Sequence, residues 1–337
     1  MKDFRIAVIG AGAVGGITAA ILRKSGLDVS LVTKHPQLAM KISHEGIHAF
    51  GHCGDIWINV PAVPAISDLE GYFDLAMIAT KGYDMSEAAE KVLPYLRDDS
   101  RVISMQNGIC EDDLANVVGK ERTVGCVVGW GATMRHPGEV EMTSGGEFVI
   151  GNWKREKDIW LEDICGILNY IVPTRISDNI ESSLYSKLII NSCITTLGVI
   201  SGLYLGEILA IKKARDILIH IISEAIKVAN AMGIEVEPFA GKLDYYSFLK
   251  KGLLSNFKQH LTIRVIGYKY RKLKSSSLQS IERGKRTEVN NYNGYIAIKG
   301  KENGIKTPVN EQLTRMVKEI EEGKRKITPE NFKALTG

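Results

Sequence analysis

A doubly wound α/β sheet followed by an all-helical half is the fold class that this 337-residue sequence predicts. Three observations carry it. An apolar run near the N-terminus ends in G-x-G-x-x-G, strand-like and helix-like segments then alternate, and from about Ile176 long helical patterns replace them.

The first run, Arg5–Ile9, has the composition of a buried strand. It leads into Gly10-Ala11-Gly12-Ala13-Val14-Gly15, and helical periodicity resumes at Ile17. In such a strand–turn–helix unit Gly10 makes the turn, Gly12 admits a pyrophosphate to the backbone, and Gly15 lets helix and strand pack closely. The helix N-terminus, with its unpaired N–H groups, favours that anion. Residues 10–15 are therefore candidates for dinucleotide binding. The second strand, Asp28–Val32, runs into Thr33-Lys34. A unit that prefers NAD carries a carboxylate there for the ribose 2′-hydroxyl. A hydroxyl and a cation suit a 2′-phosphate, so the expected cofactor is NADP(H).

Further strands are expected over 75–79, 101–105 and 123–128, with a helix over 85–93 between them. Segments 139–143 and 147–150 read as an antiparallel hairpin across Ser144-Gly145-Gly146. In the second half, helices are expected over 182–197, 208–232, 256–273, 288–302 and 310–322. Gly233, Pro238, Gly252 and Thr307-Pro308 punctuate them. The expected domains are 1–175, binding nucleotide, and 176–337, helical, for substrate and dimerisation. Their cleft, at the carboxyl ends of the parallel strands, is the expected active site.

The apolar fraction of 45% and charged fraction of 24% are those of a globular protein. The net charge of +4 is mild. The basic segment 269–274 reads as a solvated helix end, with no nucleic-acid motif beside it. His44, His48 and His52 recur every four residues, but Gly46, Gly51 and Gly54 interrupt any helix that would align them, so no metal is expected. No uninterrupted apolar run reaches the ~18 residues of a membrane span. The longest, 188–205, is broken by Asn191, Ser192, Thr195, Thr196 and Ser201. A strand beginning at Arg5 leaves no signal peptide to expect. Five cysteines without a C-x-x-C pair point to reduced thiols and a cytoplasmic location.

Three constellations can carry chemistry. Thr80-Lys81 and Gln106-Asn107-Gly108 each follow a strand at the ligand-binding edge, although Asn-Gly is also a common turn pair. Ser183, Lys187, Asn191 and Thr195 recur every four residues on an otherwise apolar helix. A lysine beside Leu188, Ile189 and Ile190 is costly to bury without a partner, which a functional cleft would explain. Later come Ser275-Ser276-Ser277-Leu278-Gln279, Arg283-Gly284 and Thr287-Glu288. Thr287, or the residues before it, can cap a helix that begins at Glu288. That carboxylate would then complement the helix dipole, or serve the site.

These fragments, in this order, resemble the ketopantoate reductase (2-dehydropantoate 2-reductase) family. The resemblance spans nearly the whole chain. It runs from the glycine loop through Thr80-Lys81, Gln106-Asn107-Gly108, Lys187-Leu-x-x-Asn191 and Ser275-Ser276-x-Leu-Gln279. Arg283-Gly284, Thr287-Glu288, Asn293-Gly294 and Thr307-Pro308-Val309-Asn310 complete it. It implies NADPH-dependent reduction of 2-dehydropantoate to pantoate, toward pantothenate and coenzyme A. It also implies Lys187 as proton donor and Asn107, Asn191 and Ser276 as substrate contacts, with Thr195 beside them. Glu288 would lie near cofactor and substrate, Lys34 would take the place of the family's cofactor cation, and Lys81 and a loop near Met134 would give further cofactor contacts. A 2-oxo acid is the implied small-molecule partner, and a homodimer is a compatible assembly.

Four positions depart from the family pattern: Thr195 and Leu205 where asparagines are usual, Ser280 after Gln279, and Asn290 in place of an aspartate. They leave room for another 2-oxo acid or an opine-type dehydrogenase. A non-catalytic NADP-binding regulator is a third reading, and it gives Lys187 no task.

Overall fold

The computed structural model describes residues 4–239, 241 and 243–335. The chain divides into two compact units, the division falling between Leu184 and Tyr185.

In unit 1, β1 (Arg5–Ile9), α1 (Ala13–Lys24) and β2 (Asp28–Val32) form the opening strand–helix–strand. Then follow α2 (Pro36–His44), β3 (Ile47–Gly51), β4 (Gly54–Ile58), β5 (Ala62–Val63), β6 (Phe73–Ile78), α3 (Met85–Val92), β7 (Leu96–Ser104), α4 (Glu111–Val118) and β8 (Thr123–Val128). The unit continues through β9 (Gly131–His136), β10 (Glu139–Ser144), β11 (Phe148–Asn152), α5 (Trp160–Leu168) and β12 (Thr174–Ile176). Among the described residues the main sheet has eight strands in the order β12-β11-β8-β7-β6-β1-β2-β5. β1 pairs in parallel with both β2 and β6. The chain thus leaves β1 toward one side and returns on the other, which opens a crevice beyond the carboxyl end of β1.

The expected hairpin between 139–143 and 147–150 does not form. β10 pairs instead with β9, across a turn at Pro137-Gly138 where Gly138 has φ +82°, and in parallel with β3. β11 joins the main sheet beside β8. Ser144-Gly145-Gly146 carries the chain from one sheet to the other, and a Cβ on Gly146 would lie 2.2 Å from the Gly129 carbonyl oxygen. This second sheet, β4-β3-β10-β9, was not read from the sequence. It packs on the face of α1 away from the main sheet. A Cβ on Gly16 would come within 3.0 Å of Ile47 and 3.2 Å of Val140. The glycine-loop helix is therefore buried on two sides, which explains its run of core residues from Gly15 to Leu22.

α6 (Ile180–Ser201) runs from unit 1 into unit 2. By length and composition it is long and apolar enough to cross a membrane, despite its polar interruptions. Of its most apolar stretch, 78% is buried inside the protein, as in a core helix. Unit 2 continues with α7 (Leu205–Ala210), α8 (Lys212–Ala231), α9 (Leu253–Lys269), α10 (Ser276–Glu282), α11 (Asn293–Glu302) and α12 (Pro308–Glu321). The helix expected over 208–232 is broken at Ile211, which is extended (ψ 122°). The carbonyls freed there, of Leu209 and Ala210, accept from the buried Arg215 guanidinium at 2.9 and 2.8 Å. α9 starts and stops earlier than expected. Leu273, placed in that helix by sequence, instead gives its carbonyl to Leu205 N at 2.9 Å.

Candidate active site

On unit 1, the candidate residues stand on the carboxyl edge of the main sheet. Gly10, at φ +110°, donates its N–H to the Val32 carbonyl at 2.9 Å, and a Cβ there would press on the backbone of Ala79 and Thr80 at 3.0 Å. Gly15 packs so closely that a Cβ would fall 2.0 Å from Gly10 O. The protein's own packing therefore demands glycine at both positions. Gly12 is different: its φ is −73° and a Cβ would meet nothing within 4 Å. No steric contact within the protein demands glycine at 12, and the open space beside it would admit a ligand close to the backbone. Gly12 is also the N-cap of α1. No side chain caps that helix and no acid lies in its first turn. Ala11, Ala13 and Val14 are half-buried around it. Beside the loop, Thr80 Oγ1 is a buried hydroxyl with no hydrogen-bond partner among the described residues. An open glycine, uncapped N–H groups and an orphaned hydroxyl together fit a dinucleotide's phosphates.

The residues after β2 behave unequally. Thr33 is buried, and its hydroxyl closes a turn on His35, donating to its carbonyl at 3.0 Å and accepting from its N–H at 3.3 Å. Thr33 is thus committed to the backbone, and Lys34 alone presents its head outward. Lys34 Nζ lies 2.7 Å from Asp84 Oδ2, and that hydrogen bond holds the ammonium above its ordinary pKa. Sequence reasoning found no acid after β2 and missed this one, which arrives from the turn after β6. Lys81, half-buried, opens that turn, and its carbonyl accepts from Asp84 N at 2.9 Å.

The loop after β7 is pinned to the end of β6. Met105 N and the buried Gln106 amide both donate to the Ile78 carbonyl at 2.9 Å, and Ser104 Oγ donates to Gln106 Oε1 at 2.7 Å. Gly108 turns the chain at φ +89°, leaving Asn107 half-buried at the edge. Met134 does not lie in a loop: it is a strand residue of β9, paired with Val140 and packed against the core.

In unit 2, α6 is core at most positions. Lys187, Ile190, Asn191 and Ile194 are half-buried and share one face. Lys187 and Asn191 thus stay together. Ser183 and Thr195 part from them: both are buried, and the Thr195 hydroxyl donates to the Asn191 carbonyl at 2.6 Å, inside the helix. Farther along, a Cβ on Gly198 would strike Ser275 Oγ at 2.4 Å. That contact seats α10, a helix the sequence reading missed, against α6. Ser275 is its N-cap, accepting from Leu278 N at 3.1 Å, which leaves Ser276 exposed in its first turn. Ser280 gives its hydroxyl to the Ser276 carbonyl at 3.1 Å, and Leu205 is buried.

Glu288 does not begin a helix. It precedes a 3-10 turn, Val289–Asn291, and the α-helix starts at Asn293. Thr287 is held by Glu321, which accepts from both its N–H and its hydroxyl at 2.6 Å. Glu288 is therefore a buried carboxylate outside any first helical turn, and its dipole role falls away. Asn290 is exposed.

The comparisons with known proteins agree with this two-part architecture. A family model described as ketopantoate reductase PanE/ApbA matches residues 6–155, and one described as ketopantoate reductase PanE/ApbA C terminal matches 179–321. The chain is 28% identical over 325 residues to a 2-dehydropantoate 2-reductase of Pyrococcus abyssi, spanning 95% of this chain and 100% of that protein. The crystal structure of a PanE/ApbA family ketopantoate reductase from Ralstonia eutropha is similar with a TM-score of 0.81 at 28% identity, over 95% of this chain and 99% of that one. D-mandelate dehydrogenase, in a ternary structure with NADH and anilino(oxo)acetate, shares the fold with a TM-score of 0.81 at 24% identity, over the same 95% and 99%. With a glycine loop on the first unit, Lys187 and Asn191 on the second, and both halves matched by the two models of one family, the chain belongs to the ketopantoate reductase family of oxidoreductases.

Proposed function

We propose that this protein reduces a 2-oxo acid with NADPH, the leading reaction being 2-dehydropantoate to pantoate. The observation that carries this reading is Lys187 beside Asn191 on the half-buried face of a helix that is otherwise core. Bound NADPH supplies the hydride to the 2-oxo carbon. The Lys187 ammonium stabilises the alkoxide that develops and then gives it a proton. Asn107 and Asn191 offer amide donors and acceptors that orient the carbonyl and carboxylate. Ser276, exposed beside its capping neighbour, contributes a hydroxyl to the same task. Glu288 would repel the substrate's carboxylate, so its work is to accept from a substrate hydroxyl or to hold Lys187. On unit 1, residues 10–15 take the pyrophosphate, Lys34 the 2′-phosphate, and Lys81 lies along the same edge.

A different 2-oxo acid is the second reading. Two observations favour it: Leu205 is a buried apolar residue where the family pattern has an asparagine, and Thr195 spends its hydroxyl within the helix. Steady-state kinetics with NADPH, 2-dehydropantoate and a panel of other 2-oxo acids separates the two. The highest kcat/KM with 2-dehydropantoate supports the first, and a clear preference for another acid supports the second. Absence of NADPH oxidation with every acid would sink both.

A further inference from the structure

Lys34 and Asp84 come from opposite sides of β1. Lys34 stands two residues past the end of β2, and Asp84 closes the 3-10 turn Gly82–Asp84 beyond β6. β2 and β6 flank β1 in the sheet. Their 2.7 Å ion pair therefore reaches across the carboxyl end of the strand that carries the glycine loop. Lys34 is 67% exposed and Asp84 26%.

The position of Asp84 makes this pairing informative. It precedes α3, but its backbone is itself near-helical (φ −101°, ψ −2°) and continues the 3-10 turn into the helix, so its carboxylate is not placed to accept from the helix's first N–H groups. It makes no such bond. Its carboxylate turns instead to Lys34. Glu87, in the first turn of α3, is a second carboxylate near Lys34, and its own partner is Lys91; Lys81 opens the 3-10 turn from its other end. The cation expected to receive a 2′-phosphate is thus already neutralised by a carboxylate. A phosphate arriving there must displace or tolerate Asp84, and like charges at that range repel. An adenosine ribose with a free 2′-hydroxyl meets no such repulsion and can donate to the same carboxylate.

Resting on the reading of residues 10–15 and Lys34 as the nucleotide site, we propose that Asp84 is a specificity-determining residue for the cofactor. It supplies from the end of β6 the acid that is missing from the end of β2. It restrains the preference for NADPH that Lys34 creates, so the native protein takes both nucleotides with NADPH only modestly favoured.

The test is titration of native protein, Asp84→Asn and Asp84→Glu with NADPH and with NADH at one moderate ionic strength, followed by tryptophan fluorescence or calorimetry. Asp84→Asn should tighten NADPH by about tenfold, the scale of one nearby like charge. It should leave NADH unchanged or somewhat weaker. Asp84→Glu keeps the charge and should keep the native ratio of dissociation constants. An unchanged ratio in Asp84→Asn, or equal tightening of both nucleotides, overturns the proposal while leaving the nucleotide site intact. Native protein that binds neither nucleotide overturns the site itself and this inference with it.

Discussion

Asn310 donates its side-chain amide to Glu224 Oε2 at 2.6 Å, in the buried interior of the helical unit. Glu224 also accepts from the N–H groups of Val309 and Asn310 at 3.0 Å each, so a carboxylate on α8 caps the N-terminus of α12. Asn293 on α11 donates to Asn310 Oδ1 at 2.9 Å and accepts from Thr196 on α6. Four helices are tied by one polar network. Two of the motifs that carry the family resemblance, Asn293-Gly294 and Thr307-Pro308-Val309-Asn310, thus contribute structural asparagines.

Replacing Glu224 with alanine would strand three buried donors. Each orphaned group costs about 1–3 kcal/mol, so the loss should be about 3 kcal/mol or more. Thermal unfolding should shift down by roughly 5–10 °C. An unchanged melting temperature would mean that the network contributes little to stability.

Glu111 begins α4 with its side chain fully buried, accepting from Cys110 N at 2.9 Å. Burial pushes its carboxyl from 4.5 up to about 7. The folded protein therefore holds a proton that the unfolded chain releases between those values. Stability from this group is complete below about pH 4.5 and is lost as pH rises toward 7, a change of about 3 kcal/mol. Glu111→Gln should flatten that slope. Urea unfolding of both proteins from pH 5 to 8 checks it, and parallel curves would refute the assignment.

Lys187→Ala should lower kcat by about 10²-fold or more, the usual loss with a general acid. NADPH affinity should persist, because the glycine loop belongs to the other unit. Near-native kcat with the best substrate would move the proton donor elsewhere, and Lys81 would be examined next.

Asn191→Ala and Ser276→Ala should each raise KM for the oxo acid by more than they raise the dissociation constant for NADPH. Both residues lie on the helical unit. If cofactor affinity collapsed while KM held, the division of labour between the units would be reversed.

Much of this protein was determined by local sequence. Residues 5–16 specify a strand, a tight turn and a helix because Gly10 and Gly15 are placed where backbone meets backbone. The 3.6-residue periodicity of 182–197 marks a core helix, and Lys187 and Asn191 stand out on it because a cation and an amide are misplaced in an apolar stretch. Each of these signals lies within a few residues of chain. The tertiary structure decided what depends on residues distant in sequence. β10 pairs with distant β3 as well as with neighbouring β9, and β11 with β8, so the two segments flanking Gly145-Gly146 go separate ways. Thr195 and Thr33 are a different case: the bonds that consume their hydroxyls are local in sequence, but residue type alone does not disclose them. Asp84 and Lys34 are fifty residues apart and meet only because β1 lies between the strands that precede them. Charge is written in the sequence, but which charges become neighbours follows from how the sheet is wound.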